Sequence, residues 1–574
     1  MPITIGGKTY NVPGAYGTIE VVNLGSVALP AFNNLIFVGS ARKGLPSTSS
    51  ATRKSYEFIK SFSSINDAKD WFGSSDLTRA MEYAKLGGAG VIHLVNIAPL
   101  TNGNAVIFDN TPVTPLATFN IVPKDKYFGA AGNDISLTIA TASSKPTITI
   151  IPPKLTKFLA SNAATSSTWL TLDDVEGLAV NQAIKLWSNA TASAPQSTTI
   201  AEIDAANNKI RIADAPGAAY ATADYARIFL EDTDRQEVKT FESTATITDV
   251  INWISSGQIL TASRSTYSGI VPTTLAKIYF QIITSATKGT SPVATETGGG
   301  SFDIFAASTG QFFEEFTSYT KVRIRLLGLL SSAATVHAVY KALTADLRTN
   351  IQYSIQVITG CALGDIALTS GTDPITRAKA LNSDDVILAG MGINGKAAYM
   401  SLAPLFAGMI SANSVLRNFT SDVVTATTVE KFFGESNKIA ETVNYLTNGV
   451  LIVGTGANGF FIVQGVNTWQ NHATIWTADG AHSYLIMQRQ IVDFVYEGYK
   501  NQMQEGVGAD GYGPEAASAQ GLAILDKYLR EGFITSRRML NAWREGNAIK
   551  TKPEIIPLDA TDFVGFILVV KITS

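Results

Sequence analysis

Two glycine-rich stretches are where chemistry would first be sought in this chain. Gly390-Met391-Gly392-Ile393-Asn394-Gly395-Lys396 has the glycine and lysine spacing of a phosphate-cradling loop, follows the apolar run Val386 to Ala389 and precedes a plausible helix. Such a loop needs Ser or Thr next, because that hydroxyl ligates Mg²⁺, and this chain has Ala397 there. Gly454-Thr455-Gly456-Ala457-Asn458-Gly459 matches the dinucleotide-binding spacing. That fingerprint requires a following helix whose N-terminus holds the pyrophosphate, whereas Phe460-Phe461-Ile462-Val463 reads as a strand, so the stretch reads as a hairpin loop.

The remaining candidates are fewer still. The four histidines are His93 in a core strand, His337 in a helix, and His472 and His482 ten residues apart without a cysteine partner, so none has metal-ligand spacing. No Gly-x-Ser-x-Gly elbow marks a nucleophile. The single Cys361 excludes an internal disulfide and reads as a core residue. The sequence nominates no catalytic residue, no cofactor site and no metal ligand, and the expectation is a protein that is not an enzyme.

The elements around these residues define the organisation. Between Asn34 and Ile97, Leu35 to Gly39 is a short apolar strand, Ser64 to Phe72 and Leu77 to Leu86 have helical spacing, and Val91 to Val95 is a second strand after Gly87-Gly88-Ala89-Gly90. The same alternation returns with a strand at Val322 to Leu327, a helix at Ala333 to Arg348, a strand at Ser354 to Ile358, a helix near Ile375 to Leu381 and a strand at Val386 to Ala389. Alternation of this kind implies a parallel sheet with crossover helices. One α/β domain over 23–100 and 301–397 is therefore expected, interrupted by a β-rich insertion over 101–151 and 230–300 that itself carries an outer β module at 152–229.

A C-terminal α+β domain is expected over 398–550. It contains a helix near Ser401 to Ala412, a hairpin within Val450 to Val466 and a long amphipathic helix from Tyr484 to Met503 with Ile491, Val492, Val495 and Tyr499 on one stripe. A helix from Glu515 to Arg530 follows, expected to turn Leu522, Leu525 and Leu529 inward. Residues 551–574 read as a Pro-punctuated linker, Lys552 to Pro557, and a final strand, Phe563 to Ile572, apolar on both faces. The first 22 residues read as an extended arm broken by Gly6-Gly7 and Pro13-Gly14, too poor in apolar residues to build a core alone.

Bulk composition agrees with a multidomain chain. The 574 residues are 45% hydrophobic and 16% charged, ample core material with a surface poorer in charge than the roughly 25% of ordinary domains, as if other protein covered part of it. The net charge of −3, with no basic block, advertises neither nucleic acid nor an anionic membrane as partner. No signal peptide is expected, and apolar runs such as Val564 to Val570 fall far short of the ~18 residues a membrane span needs.

Several of these stretches resemble the contractile tail sheath proteins of phages and related injection systems. Val12-Pro13-Gly14-Ala15-Tyr16 is similar to the family's Pro-Gly-Val-Tyr opening, and Phe37-Val38-Gly39-Ser40-Ala41-Arg42-Lys43-Gly44-Leu45-Pro46 to its glycine-proline turn. Phe62 to Gly73, Gly87 to Gly90, Phe128 to Ile135, the helix Pro404 to Ile410, Asn448 to Trp469 and Arg489 to Tyr499 follow the family's order and spacing. Gln464 to Thr468 departs from its Trp-Gly-Ala-Arg run, so no contact of that arginine carries over.

The resemblance implies a fold and a mechanism. The fold is α/β and α+β multidomain, with the C-terminal domain completed by extended N- and C-terminal strands. In such sheaths those strands join the sheets of neighbouring subunits, which places Ile3, Ile5, Tyr10, Val12, Ile19 and Val21 in one inter-subunit arm and Phe563, Phe566, Leu568 and Val570 in the other. Subunits stack as hexameric rings around a tail tube protein, with baseplate and tail terminator proteins at the ends, and contraction needs no nucleotide. A C-terminal-domain helix faces the tube, which points to Lys527 and Arg530. The expected place is a virion tail assembled in the host cytoplasm, with no membrane insertion. Phage, bacteriocin and injection machine stay open, as does another self-assembling virion or surface-layer protein.

Overall fold

The computed structural model describes residues 3–5, 8–10, 34–47, 55–98, 100–109, 116–142, 145–190, 195–264, 275–279, 313–348, 353–367, 371–433, 439–456, 459–470, 485–503, 512–545 and 548–558. Its centre is a seven-stranded sheet in the order Val450–Leu451, Val386–Ala389, Gln356–Gly360, Ile324–Leu329, Asn34–Gly39, Ile92–Asn96, Lys60–Phe62. All neighbours run parallel except the short edge strand Lys60–Phe62. Strands from both sides of the long insertion thus lie side by side, Asn34–Gly39 against Ile324–Leu329.

The inner strands are mostly apolar because both sheet faces are covered. Leu35, Phe37, Leu94 and Leu326 pack on one face beneath the helices Ile65–Phe72, Asp76–Leu86 and Leu402–Ala412. Ile36, Val38, Leu327 and Val357 pack on the other beneath Ala334–Asp346 and Phe313. Two of these helices meet backbone to backbone. A Cβ at Gly408 would strike the Ala84 carbonyl and one at Gly87 the Leu405 carbonyl, so only glycine allows the contact.

Asn96, fully buried at the end of its strand, shapes the turn after the first sheet strand. Its Oδ1 accepts the N–H groups of Ala41 (2.9 Å) and Ala98 (3.0 Å), while its Nδ2 donates to the carbonyls of Ala41 and Gly44, both 3.2 Å. Gly44 in that turn has φ +87°, a conformation glycine adopts at little cost.

The sheet reaches past residue 397, where a boundary was expected. Val450–Leu451 supplies an edge strand and Leu402–Ala412 buries nearly its whole length in the α/β core. The physical reason is that this helix is apolar all round and cannot face solvent on any side.

The insertion contains two antiparallel sheets, one of Glu237–Thr240, Lys145–Ile151, Ser136–Ala142 and Leu275–Tyr279, the other of Leu260–Arg264, Leu116–Pro123 and Ala105–Asp109. The helix Ile247–Ser256, started by a Thr246–Asp249 capping box, closes their common core. Beyond it stands a six-stranded antiparallel sheet in the order Pro153–Phe158, Arg227–Glu231, Ala183–Trp187, Gln196–Asp204, Lys209–Ile212, Trp169–Thr171. A Leu159–Leu172 bridge joins its first and last strands and closes it into a small barrel around Leu186, Ile200, Ile210 and Ile228. Entry and exit are adjacent, Pro153 lying opposite Glu231.

Polar contacts join the barrel to the rest. Arg227 and Asp134, both fully buried, pair at 2.8 Å, and the guanidinium lies 4.8 Å from the Trp187 ring centre. Burial lifts the Asp134 carboxyl to about 6 even beside that arginine. Lys157 pairs with Asp174 and donates to Ser74 at 2.8 Å, and Arg42 sits 3.6 Å from Asp173.

Candidate functional site

The glycine loop at 390–396 is occupied by the chain itself. Gly392 donates its N–H to Glu430 Oε2 at 2.7 Å, and Gly364 donates to the other oxygen of the same carboxylate. The group that would be a phosphate in a nucleotide site is thus a side-chain carboxylate, held by a bridge between Ile393 and Val429. Gly454 and Gly456 lie in the strand Val453–Gly456, which pairs antiparallel with Gly459–Ile462, so a strand, not a helix, follows the glycines.

The described histidines are packing residues. His93 Nδ1 lies 2.7 Å from Ser61 Oγ, and His337 Nε2 lies 2.8 Å from the Ser331 carbonyl. Burial lowers both rings to about 4. It pushes the Cys361 thiol up to about 12, which leaves it unreactive. His472 and His482 lie outside the described residues.

The C-terminal unit is built differently. The long helix Ile486–Met503 buries Ile491, Val495 and Tyr499 against the helix Pro514–Arg530, which answers with Ile524, Leu525 and Tyr528. Leu529, expected to point inward, is exposed, because Tyr528 fills that place against Phe494 and Phe533.

The opposite face of the long helix is also buried, and it is charged. Arg489 reaches Asp384 Oδ2 (2.8 Å), Asp493 Oδ1 (2.7 Å) and Asp385 Oδ1 (3.5 Å). Arg348 pairs with Asp493 (2.9 Å) and with Asp385, while Glu497 takes Arg323 (2.6 Å) and Arg325. Four guanidiniums thus face four carboxylates beneath the amino ends of the sheet strands, and the helix is tied to the sheet by ions. Burial raises Asp385 and Asp493 and lowers Arg325. Sequence reading missed this network. Its signal was present in Arg489, Asp493 and Glu497 at intervals of four and in the Asp384-Asp385 pair before a strand.

The helix Pro514–Arg530 carries a long two-stranded hairpin, its leading strand Ile534–Glu545 and its returning strand Ala548–Pro557. Lys552 to Pro557, expected as a linker, is part of the returning strand, because Ile555 and Met539 find an apolar seat on that helical base. Tyr499 donates to Thr551 Oγ1 at 2.9 Å, and Arg537 Nε to Asp526 at 2.7 Å. Among the described residues neither outer edge of this hairpin is paired, and Leu540 and Ile556 stand exposed on it.

The predicted assembly residues fall in three places. Ile3, Ile5 and Tyr10 lie in a small hairpin of their own, Ile3–Ile5 against Lys8–Tyr10. Val12, Ile19, Val21, Phe563, Phe566, Leu568 and Val570 lie outside the described residues. Lys527 and Arg530 are exposed in the last turn of their helix, where they complement its dipole.

No family model matches the sequence, and no curated protein does. Among solved structures, a sheath tail protein from Listeria innocua aligns over 92% of this chain and 92% of its own, with a TM-score of 0.52 at 11% identity. A sheath tail protein from Desulfitobacterium hafniense aligns over 95% of this chain and 100% of its own, at 12% identity and a TM-score of 0.49. The Listeria alignment shows that this chain has the fold of a sheath tail protein.

Proposed function

We propose that the protein is a structural subunit of a contractile tail sheath, polymerising as stacked hexameric rings around a tube and contracting to drive that tube through an envelope. The observation that carries this is the hairpin Ile534–Pro557, two long strands mounted on a helical base with no edge partner among the described residues. Open edges are templates for strands of other chains, and main-chain bonds there join subunits strongly while the connecting segments bend. The arm residues Ile3 to Val21 and the strand Phe563 to Ile572 are the donors in this reading. Rings stacked by such heterologous contacts extend along the tube instead of closing. Tube, baseplate and terminator proteins are the expected partners, in a virion tail assembled in the host cytoplasm. The work comes from interface energy, consistent with a glycine loop filled by Glu430.

Electron microscopy of the purified full chain tests the proposal. Hollow helical tubes or rings are expected. A monodisperse monomer at high concentration, across low and high salt, refutes it.

A further inference from the structure

One short helix, with the turn that follows it, touches both the barrel and the two limbs that lead to it. Asp70, in the last turn of Ile65–Phe72, takes Lys126 Nζ at 2.5 Å from the limb that leads into the barrel and Arg235 Nη1 at 2.6 Å from the limb that leads out of it. Lys69 beside it pairs with Glu176 of the barrel, and Ser74, just past the helix, accepts the Lys157 amine at 2.8 Å. Arg42 adds its 3.6 Å pair with Asp173. Burial works against a charge on Asp70, but Lys126 and Arg235, with Lys43 behind them, hold its carboxyl below the ordinary value, so it is ionised at neutral pH.

The seam beside these contacts is open. A cleft of about 960 Å³ has Trp71 of the same helix in its lining together with Val122, Pro123, Gln258 and Thr261 of the insertion, and Lys126 and Arg235 stand at it as well. An apolar hold lies at Phe128, which packs on the sheet core of Ile36, Val38 and Leu327 and whose carbonyl accepts the Gly44 N–H at 3.3 Å. Bodies joined through a small or polar contact move relative to one another, and only a large apolar interface fixes them. Arg235 is half exposed, so counter-ions reach its pair with Asp70. The screening length falls from about 10 Å at 0.1 M salt to about 3 Å at 1 M.

We propose that the insertion is an arm that pivots at Phe128 and is held down by this polar dock, with Asp70 as the pin of both limbs, so that salt or loss of that carboxylate lets the arm lift and widens the cleft. Asp70 is a positioning residue here. It fixes where the barrel stands and leaves its folding alone, since the barrel has its own core of Leu186, Ile200, Ile210 and Ile228. The inference holds whether or not the chain forms a sheath.

Spin labels on the full chain test it, one at Ala206→Cys in the barrel and one at Ala342→Cys on the helix Ala334–Asp346, both exposed. Cys361 is buried and takes no label. Dilution into unlabelled chain leaves only distances within one molecule. At 0.1 M salt one narrow distance distribution is expected, and at 1 M salt a second one beside it. Asp70→Asn should bring up the same second distance at low salt, since two part-exposed pairs together are worth about a tenfold change in the ratio of lifted to docked arm. Glu242→Gln, which breaks the exposed pair with Lys145 inside the insertion, is the control and should change nothing. Hydrogen exchange of Ala183–Trp187 checks that the barrel of the Asp70 variant stays folded, and if it does not, the parent chain at low and high salt decides alone. A parent whose single distribution is the same at both salts overturns the proposal. A folded Asp70→Asn chain that keeps the parent's distribution, or a Glu242→Gln chain that shifts as much, overturns it too.

Discussion

Arg489→Met is the substitution that most directly probes how the C-terminal unit is held. Arg489 is 4% exposed and faces Asp384, Asp385 and Asp493 within 3.5 Å. Removing it leaves three guanidiniums facing four buried carboxylates, with one negative charge in excess. Breaking a buried pair from one side costs about 3–5 kcal/mol, because the abandoned charge stays desolvated. The loss falls on the contact between the long helix and the sheet, while the sheet keeps both apolar faces. Hydrogen exchange resolves the two: amides of Ile486–Met503 and the hairpin should exchange at least about a hundredfold faster, since about 1.4 kcal/mol is a factor of ten. Those of Ile324–Leu329 should be unchanged. Arg538→Ala is the control, since its pair with Glu554 is exposed on both sides and is worth at most about 1 kcal/mol. Equal effects from the two substitutions, or a loss under about 1 kcal/mol for Arg489→Met, would refute the assignment of the network as the joint.

Four further outcomes are expected. Gly408→Val should lower thermal stability by about 1–3 kcal/mol or more, since any Cβ meets the Ala84 carbonyl, and calorimetry checks it. His93 and His337, both depressed to about 4 from 6.5, contribute stability that is complete above pH 6.5 and lost as pH falls toward 4, about 3 kcal/mol each; urea unfolding between pH 7 and 4.5 should show the decline, and His337→Gln should flatten it. Replacing residues 152–229 by a short Gly-Ser bridge should leave tube formation intact, because Pro153 and Glu231 are neighbours and the barrel has its own core; electron microscopy checks it, with Asp134→Asn included to remove the carboxylate left without Arg227. Reversing charge at Lys527 and Arg530 should weaken tube binding in a co-sedimentation assay while leaving the fold unchanged, since both are exposed.

Much of the architecture was legible because it is local. Apolar runs of strand length, alternating with helical spacing on both sides of an Ala-, Ser- and Thr-rich insertion, announce a covered parallel sheet, and Asn34–Gly39 lies against Ile324–Leu329. Phe460 to Val463 after the glycines announced a strand by its residue types alone, and Gly459–Ile462 is one. Other features depended on partners far along the chain. The two-residue strand Val450–Leu451 has no periodicity to display and exists only because Val386–Ala389 offers an edge. Lys552 to Pro557 has the prolines of a linker, yet becomes a strand because Met539 and Ile555 share an apolar seat and because an edge strand tolerates proline where its nitrogen faces away from the ladder. The charged face of the long helix was not interpretable from sequence, since spacing says which residues share a face but not what lies opposite. Only the tertiary structure brought Asp384, Asp385, Arg348, Arg323 and Arg325 beneath it, and burial there depends on opposite charges meeting across more than a hundred residues of chain.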